Sequence, residues 1–218
     1  NGETRFFSRK VRTNCVWEED GVIYRRGEKI LESKDILIPG THNIENYMAA
    51  IALVEGLATD DAIRQVARAF GGVEHRIELV RVKDGVRFYN DSIASSPSRT
   101  IAGLRSFPEQ VILIAGGYDK HIPYDVLGPE ICKHVKKLFL GGTTGPKIRA
   151  AVEAAPEYAP GKPEIVDCKD FTEATLAAAK AAESGDVVLM SPASAAFDQF
   201  KNFMERGKTF KKIVNGWE

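Results

Sequence analysis

The chain has 218 residues, with 30 basic and 30 acidic side chains that leave a formal net charge of +0 at pH 7. Hydrophobic residues make up 44% of it and charged residues 28%, a balance typical of a folded protein that excludes intrinsic disorder. The even charge removes the electrostatic basis for binding nucleic acid or an anionic membrane. No apolar run approaches the ~20 residues that a membrane-spanning helix needs.

Cysteine and histidine provide neither a disulfide framework nor a metal site. The three cysteines are odd in number and far apart, at positions 15, 132 and 168. The four histidines show no HxH or HxxxH spacing, which argues against a zinc enzyme. We therefore expect a cytoplasmic protein with free thiols and no metal ligands in this chain.

Residues 1–72 combine short β-patterns with two helical patterns, and we expect them to form one unit. Thr59 is a predicted helix cap, and Gly71-Gly72 ends the second helix and marks a domain boundary. A few short strands cannot bury a core alone, so this unit needs a larger body. The predicted strands are 16–17, 22–24, 29–31 and 35–38, and the predicted helices are 43–58 and 60–70.

Residues 73–218 begin with a predicted hairpin, 77–82 and 86–89, after which strand and helix patterns alternate. Continuous apolar strands separated by amphipathic helices predict βαβ units and a parallel sheet covered on both faces. We therefore predict a Rossmann-like, doubly wound α/β domain. Its further strands are 111–115, 137–140, 164–167 and 186–190, and its helices are 97–106, 124–134, 144–155, 170–183 and 199–213.

Polar or glycine-rich clusters follow four of these strands. In open parallel sheets, ligands bind beyond the carboxyl ends of the strands, so the four clusters predict a site at one edge. No phosphate loop of the GxGxxG or GxxxxGK[ST] kind occurs, and the absence of a GxSxG turn argues against a serine hydrolase. The clusters are Asn90-Asp91-Ser92, residues 116–121, residues 141–144 and residues 191–194.

Purely structural interpretations compete with a site at most of these positions. Asp91 serves a turn equally well, and Asn43 is a good helix cap. Lys120 alone is typical of a solvated surface lysine, and Arg76 beside His75 is typical of a surface pair. The aromatic series that includes Phe197, Phe200, Phe203 and Phe210 is interpreted first as core.

The order of five motifs resembles the Mur ligases. The last motif is the most specific and is similar to the D-glutamate-adding members of that family. The likeness covers nearly the whole chain. The motifs are Gly-Thr-His-Asn-x-x-Asn at 40–46, Glu-His-Arg-Ile-Glu at 74–78, Asn-Asp-Ser at 90–92, Gly-Gly-x-x-Lys at 116–120, and Ser-Pro-Ala-Ser-x-x-Phe-Asp-x-Phe-Lys-x-Phe-x-x-Arg-Gly at 191–207.

The resemblance implies an ADP-forming, ATP-dependent amide ligase of peptidoglycan synthesis. We expect it to be a monomer. It would use ATP and Mg²⁺ to add D-glutamate to UDP-N-acetylmuramoyl-L-alanine through an acyl phosphate. Residues 1–72 would be the β-strand and helix end of a central ATPase domain, and residues 73–218 would be the C-terminal, amino-acid-binding domain.

The resemblance also implies residue roles on the nucleotide side. Asn43 and Asn46 would contact the adenine region, and Asp91 would hold the ribose hydroxyls. Arg76 would reach the ATP phosphates as a bidentate donor and assist catalysis.

On the amino-acid side, Lys120 would pair with a D-glutamate carboxylate and assist catalysis, with the hydroxyl of Ser95 beside it. Phe197 and Phe203, together with position 196, would shape the pocket, since pocket walls are largely apolar.

Two departures from the family pattern bear on the substrate. Ile93 stands where the family often has a lysine, and Ala196 stands where it often has a serine. They leave open a related ligase with another amino-acid substrate, such as one of the folylpolyglutamate-synthase kind. A non-enzymatic binding or interaction module is the second alternative.

The family's phosphate loop, Mg²⁺ ligands and central-domain catalytic lysine and histidine have no counterpart in these 218 residues. We expect them upstream in a longer protein. The chain alone is then expected to be inactive and to hold half of a composite site.

Overall fold

The computed structural model describes residues 2–217, and the contacts within the chain separate into a unit that ends at Gly72 and a unit that begins at Val73. The first unit holds one four-stranded sheet in the order β1-β2-β3-β4 and two helices. The strands are β1 (Phe7–Ser8), β2 (Val16–Glu19), β3 (Val22–Arg25) and β4 (Glu28–Glu32), and the helices are α1 (Thr41–Leu53) and α2 (Asp60–Ala69).

The turn between β2 and β3 shows why this sequence folds as a hairpin. Asp20 and Gly21 both have positive φ, 49° and 76°, the conformation that Asp-Gly adopts in a two-residue hairpin turn. The predicted cap of α2 is confirmed as well, because the Thr59 hydroxyl oxygen accepts a hydrogen bond from the Ala62 N–H at 3.2 Å.

The predicted strand over 35–38 is wrong. Ser33–Asp35 forms a short 3-10 turn, and the Ile36 N–H bonds to the Ser33 carbonyl at 3.2 Å. The Leu37 N–H then bonds to the Ala67 carbonyl of α2 at 3.2 Å. Two backbone donors of this segment are therefore satisfied by a turn and a helix, and within residues 2–217 the segment pairs with no strand.

The second unit contains a six-stranded sheet in the order β5-β6-β10-β7-β8-β9. Only β5 runs antiparallel, to β6, and the other neighbours pair in parallel. The strands are β5 (Glu78–Lys83), β6 (Val86–Asn90), β7 (Val111–Ala115), β8 (Val135–Leu140), β9 (Glu164–Asp167) and β10 (Val187–Met190), and the helices are α3 (Pro97–Leu104), α4 (Leu127–His134), α5 (Gly145–Glu153), α6 (Phe171–Lys180) and α7 (Phe203–Gly216).

Alternate residues of β7 enter two different cores. Leu113 packs with α4 and α5 residues such as Ile131 and Ile148, whereas Ile114 packs with α6 and α7 residues, including Phe210. Both faces of the sheet are therefore covered by helices, which explains the continuous apolar strands. The prediction of a doubly wound, mostly parallel α/β domain is confirmed.

Helix α7 begins four residues later than predicted. Asn202 caps it by accepting a hydrogen bond from the Glu205 N–H at 2.9 Å. Residues 199–202 are consequently part of a loop rather than the first turn of a helix. In residues 2–217 no helix is long and apolar enough to cross a membrane.

We expect Gly207→Ala to lower the free energy of unfolding by about 1–3 kcal/mol, because α7 packs closely at this point. A Cβ at Gly207 would lie 2.3 Å from His75 Nδ1 and 3.1 Å from Asn90 Nδ2. Gly216→Ala, in the same helix with no heavy atom within 4 Å of the added Cβ, is the matched control and should leave stability unchanged or slightly higher. Urea denaturation of both variants measures the difference, and equal effects would contradict this account of the packing.

Candidate functional site

The carboxyl ends of β6, β10, β7 and β8 lie side by side at one edge of the sheet. Met190 pairs with Asn90 on one side and with Ile114 on the other, so these strands end nearly level. The four polar clusters predicted from the sequence follow these strands and therefore share the edge.

Asp91 is buried at this edge, with 4% of its surface exposed. Its Oδ2 accepts a hydrogen bond from the Ser191 hydroxyl at 2.7 Å, and its Oδ1 accepts one from the Ile77 N–H at 3.3 Å. Burial raises the pKa of the Asp91 carboxyl to about 7, and these hydrogen bonds offset only part of that rise. Asp91 thus ties the end of β6 both to the end of β10 and to the segment that precedes β5.

Arg76 lies in that segment between two buried neighbours. His75 and Ile77 both have positive φ, 67° and 45°, an uncommon conformation for non-glycine residues. The buried ring of His75 accepts a hydrogen bond at Nδ1 from Asn90 Nδ2 at 2.9 Å, with the tautomer assigned from that contact. Burial lowers the pKa of His75. This anchoring leaves the Arg76 side chain exposed at the surface, with Arg76 attracting the Asp91 carboxylate electrostatically.

Lys120 and Ser95 lie on two different loops of the same edge. Lys120 is exposed, and within residues 2–217 it has no ion-pair partner. The adjacent Asp119 is instead held by Lys147 Nζ at 2.6 Å and by the His121 N–H at 2.8 Å. Ser95 is half-buried, and its N–H bonds to the Ile93 carbonyl at 2.8 Å in the loop before α3.

The aromatic residues 197 and 203 occupy different surroundings. Phe197 is 64% exposed and contacts Tyr118 edge-on, with ring centroids 5.9 Å apart. Its interpretation as core is therefore wrong, because the loop that precedes α7 carries it out to solvent. Phe203 is half-buried and packs edge-on against His75 at 6.0 Å, while Ala196 is 2% exposed.

Three further residues contribute to this edge: Tyr118 and Thr144, which lie within the predicted clusters but were given no role, and Arg206, which lies outside them. Tyr118 pairs with Phe197, and Thr144 Oγ1 lies 2.8 Å from the Ser194 hydroxyl while accepting a hydrogen bond from the Gly117 N–H at 3.0 Å. Arg206 is buried beneath the edge. Single aromatic, threonine and arginine residues carry no periodic signal, and the one pointer to Arg206 was its place beside Gly207 in the last motif.

Asn43 and Asn46 belong to the first unit and lie on the first turns of α1, as predicted. The helix begins after Gly40, so the interpretation of Asn43 as its cap is wrong. Asn43 Nδ2 instead donates to the Pro39 carbonyl at 2.6 Å, and its Oδ1 accepts from Asn46 Nδ2 at 3.2 Å. Asn43 is buried and holds Asn46, whose side chain is exposed.

One cluster has the composition of a metal site. Ligand atoms of Glu74, His75 and Glu78 lie within 4.8 Å of one another. The Lys211 ammonium contacts Glu74 Oε1 at 3.1 Å and Glu78 Oε1 at 2.5 Å, and His75 Nδ1 is engaged by Asn90. Since a cation already pairs with both carboxylates, we assign no metal to this cluster.

Fold and edge together define a doubly wound α/β domain whose carboxyl edge carries the exposed side chains of Arg76 and Lys120. A family model described as "Mur ligase, glutamate ligase domain" matches residues 75–194. The chain belongs to the Mur ligase family, which confirms the resemblance carried by its motifs.

Two curated relatives are both named UDP-N-acetylmuramoylalanine--D-glutamate ligase. The protein from Acetivibrio thermocellus is 53% identical over 225 residues, covering 100% of this chain and 48% of that protein. The protein from Clostridium perfringens is 44% identical over 211 residues, covering 97% of this chain and 46% of that protein. The chain thus spans about half the length of the curated relatives it matches.

Solved structures are similar in fold at low sequence identity. A UDP-N-acetylmuramate-alanine ligase from Thermotoga maritima gives a TM-score of 0.63 at 18% identity, covering 90% of this chain and 43% of that one. A Mycobacterium tuberculosis folylpolyglutamate synthase complexed with ADP gives 0.58 at 16% identity, covering 93% and 47%.

We expect the Asp91 carboxyl to reduce stability as pH rises from about 4 to about 7. Its pKa is raised in the folded protein, so the folded state holds a proton that the unfolded state releases above pH 4. The free energy of unfolding should fall by up to about 1.4 kcal/mol per pH unit in this window. Urea denaturation of wild type and of the uncharged Asp91→Asn variant from pH 4.5 to 7.5 measures this as a difference.

Taking the difference cancels groups common to both proteins, including His75, whose lowered pKa acts in the opposite direction. Parallel curves for wild type and variant would contradict the assignment.

Proposed function

We propose that this chain is part of an ADP-forming ligase that joins D-glutamate to UDP-N-acetylmuramoyl-L-alanine in peptidoglycan synthesis. The observation that carries the proposal is the 53% identity, over the whole chain, with the Acetivibrio thermocellus protein of that name. In this proposal residues 1–72 end a central ATP-binding domain and residues 73–218 form the amino-acid-binding domain. A cytoplasmic location and a monomeric state stay predictions.

The reaction explains the kinds of residue that the edge presents. A carboxylate is a poor electrophile, so its oxygen first takes the γ-phosphoryl group of ATP, which releases ADP. The amine of D-glutamate then attacks the acyl carbon, the C–O bond breaks, and phosphate leaves. The protein's share is to position three anionic substrates and neutralise their charge, which favours hydroxyls and cations over a nucleophile.

Asn43, Asn46, Arg76 and Asp91 are the proposed nucleotide contacts. The exposed guanidinium of Arg76 can bind a phosphate in bidentate fashion. Each Asp91 oxygen accepts one hydrogen bond and keeps a lone pair that a ribose hydroxyl can use. Asn43 fixes Asn46, whose exposed amide can meet the adenine edge.

Bound Mg²⁺ would neutralise phosphate charge and orient the transferred group. Asp91 is buried and hydrogen-bonded, and the Glu74 and Glu78 carboxylates are paired with Lys211. We therefore assign the ion to none of these three carboxylates.

Lys120, Ser95, Ala196, Phe197 and Phe203 are the proposed amino-acid contacts. The support for Lys120 is its exposed ammonium at the carboxyl edge, which pairs with no carboxylate of residues 2–217 and can bind one from a ligand. Ser95 adds a hydroxyl from the neighbouring loop. The Phe197 ring stands at the surface, where it can cover the aliphatic part of an amino acid.

Ile93 and Ala196 are the reason to consider a second amino-acid substrate. They replace a lysine and a serine that the family often has, so the pocket has one cation and one hydroxyl fewer. A related ligase of the folylpolyglutamate kind with another amino acid is the alternative they favour. An interaction module without activity is the third candidate and would show no amino-acid-dependent ADP release.

In the full-length protein we expect ADP release to require D-glutamate, and Lys120→Ala to raise the KM for D-glutamate. Loss of one charge-assisted hydrogen bond corresponds to about a 10- to 100-fold change. The assay measures ADP release with UDP-N-acetylmuramoyl-L-alanine and Mg·ATP while amino acids are supplied one at a time.

Lys180→Ala is the control, since that exposed lysine ends α6 away from the carboxyl edge, and its KM should stay within about twofold of wild type. Turnover with a different amino acid would overturn the substrate. An unchanged KM for Lys120→Ala would overturn the role of that lysine.

We expect the 218-residue chain alone to release no ADP from Mg·ATP above the background of the buffer. The reason is that its sequence contains no phosphate loop to hold the β- and γ-phosphates. A coupled ADP assay on the purified chain, with the full-length protein as the positive control, tests this. Steady ADP release that tracks the chain through purification would contradict it.

A further inference from the structure

Arg206 of α7 is 1% exposed, and among the described residues it is the largest side chain that is fully buried. Burying a charge is costly unless it is paired and hydrogen-bonded. Yet among residues 2–217 no carboxylate oxygen pairs with this guanidinium, and Asp198 attracts it only at longer range. A charge buried among neutral partners calls for an explanation beyond stability.

The neutral partners are oxygens of two loops. Arg206 Nε donates to the Ser92 hydroxyl at 3.0 Å, and Nη2 donates to the Ser92 carbonyl at 2.9 Å. Nη1 donates to the carbonyls of Ser194 and Ala195, both at 3.0 Å. One planar group therefore connects the loop after β6 with the loop after β10.

A third loop is connected to these two loops through Ala195. Its carbonyl also accepts the Tyr118 N–H, at 2.9 Å, in the loop after β7 that carries Lys120. Gly117 makes this approach feasible, since a Cβ there would lie 2.3 Å from the Ala195 oxygen and 3.1 Å from Arg206 Nη1.

These three loops carry the amino-acid contacts of the proposed function. Ser92 stands three residues before Ser95, and Ala195 directly precedes Ala196 and Phe197. The Ser92 hydroxyl also donates to the Phe203 carbonyl at 2.7 Å, which fixes the start of α7 to the first loop.

We propose that Arg206 is a positioning residue that sets the spacing of the Ser95, Lys120 and Phe197 loops around the amino-acid substrate. The inference rests on the proposed function and extends it to a residue that touches no substrate. Asp91 has its own hydrogen bonds, from the Ser191 hydroxyl and the Ile77 N–H, and shares none of them with Arg206.

The test compares Arg206→Lys and Arg206→Met in the full-length protein. Lysine keeps the charge but not the planar fork, and methionine keeps volume but donates nothing. We expect both variants to raise the KM for D-glutamate about 10- to 100-fold through misplacement of its contacts, with the KM for ATP within about threefold of wild type. Thermal unfolding is recorded for every protein.

Val152→Ala is the control for stability alone, because Val152 is a fully buried core residue of α5 and belongs to none of these loops. It should lower the melting temperature without changing either KM. Should both arginine variants fail to fold, Ser92→Ala provides a second test. It removes the hydrogen bonds of the Ser92 hydroxyl with Arg206 Nε and with the Phe203 carbonyl, and should raise the KM for D-glutamate about 3- to 10-fold.

Arg206→Lys with a wild-type KM for D-glutamate would overturn the inference, as would equal rises in the KM for D-glutamate and for ATP. If the wild-type protein uses another amino acid, the proposed substrate is wrong, and the KM for that amino acid is then compared between wild type and the Arg206 variants. Failure of the proposed substrate is thereby distinguished from failure of the role proposed for Arg206.

Discussion

The position of β10 in the sheet is the constraint on which the site depends. The last strand of the chain is inserted between β6 and β7, where it pairs in parallel with both. This insertion brings Ser191 to Asp91, 100 residues away in sequence, and Ser194 to Thr144, 50 residues away. The carboxyl edge is thus complete only when the C-terminal segment has folded, which makes the site a product of long-range contacts.

Hydrogen bonds rather than apolar contacts hold the loops of the carboxyl edge together. Asp91 and Arg206 are both buried, but they lie in separate networks and do not neutralise each other. Asp91 joins strand ends to the segment before β5, and Arg206 joins three loops. Satisfied buried networks specify geometry more strictly than apolar packing does, because a displaced partner leaves a polar group without a bond.

The sheet could be predicted because its strands are continuous apolar runs whose pattern needs no knowledge of partners. The shared edge followed, since parallel strands must end on the same side. The failures concern segments whose structure is set by particular hydrogen bonds and not by hydrophobic periodicity. Residues 35–38 bond to a turn and to α2 instead of a strand, and the Asn202 cap moves the start of α7. Burial of Arg206 depends on the loop that holds Ser92, 114 residues away in sequence.

Ile93 and Ala196 show how the fold and the ligand chemistry can vary independently. The backbone N–H of Ile93 bonds to the His75 carbonyl at 3.2 Å, and the Ala196 carbonyl accepts the N–H of Phe200 at 2.9 Å. Neither contact uses a side chain, so neither hydrogen bond depends on which residue stands there. In the proposed function, what would change is the number of charged and polar groups near the ligand. The two departures would therefore bear on which anion is bound and how tightly.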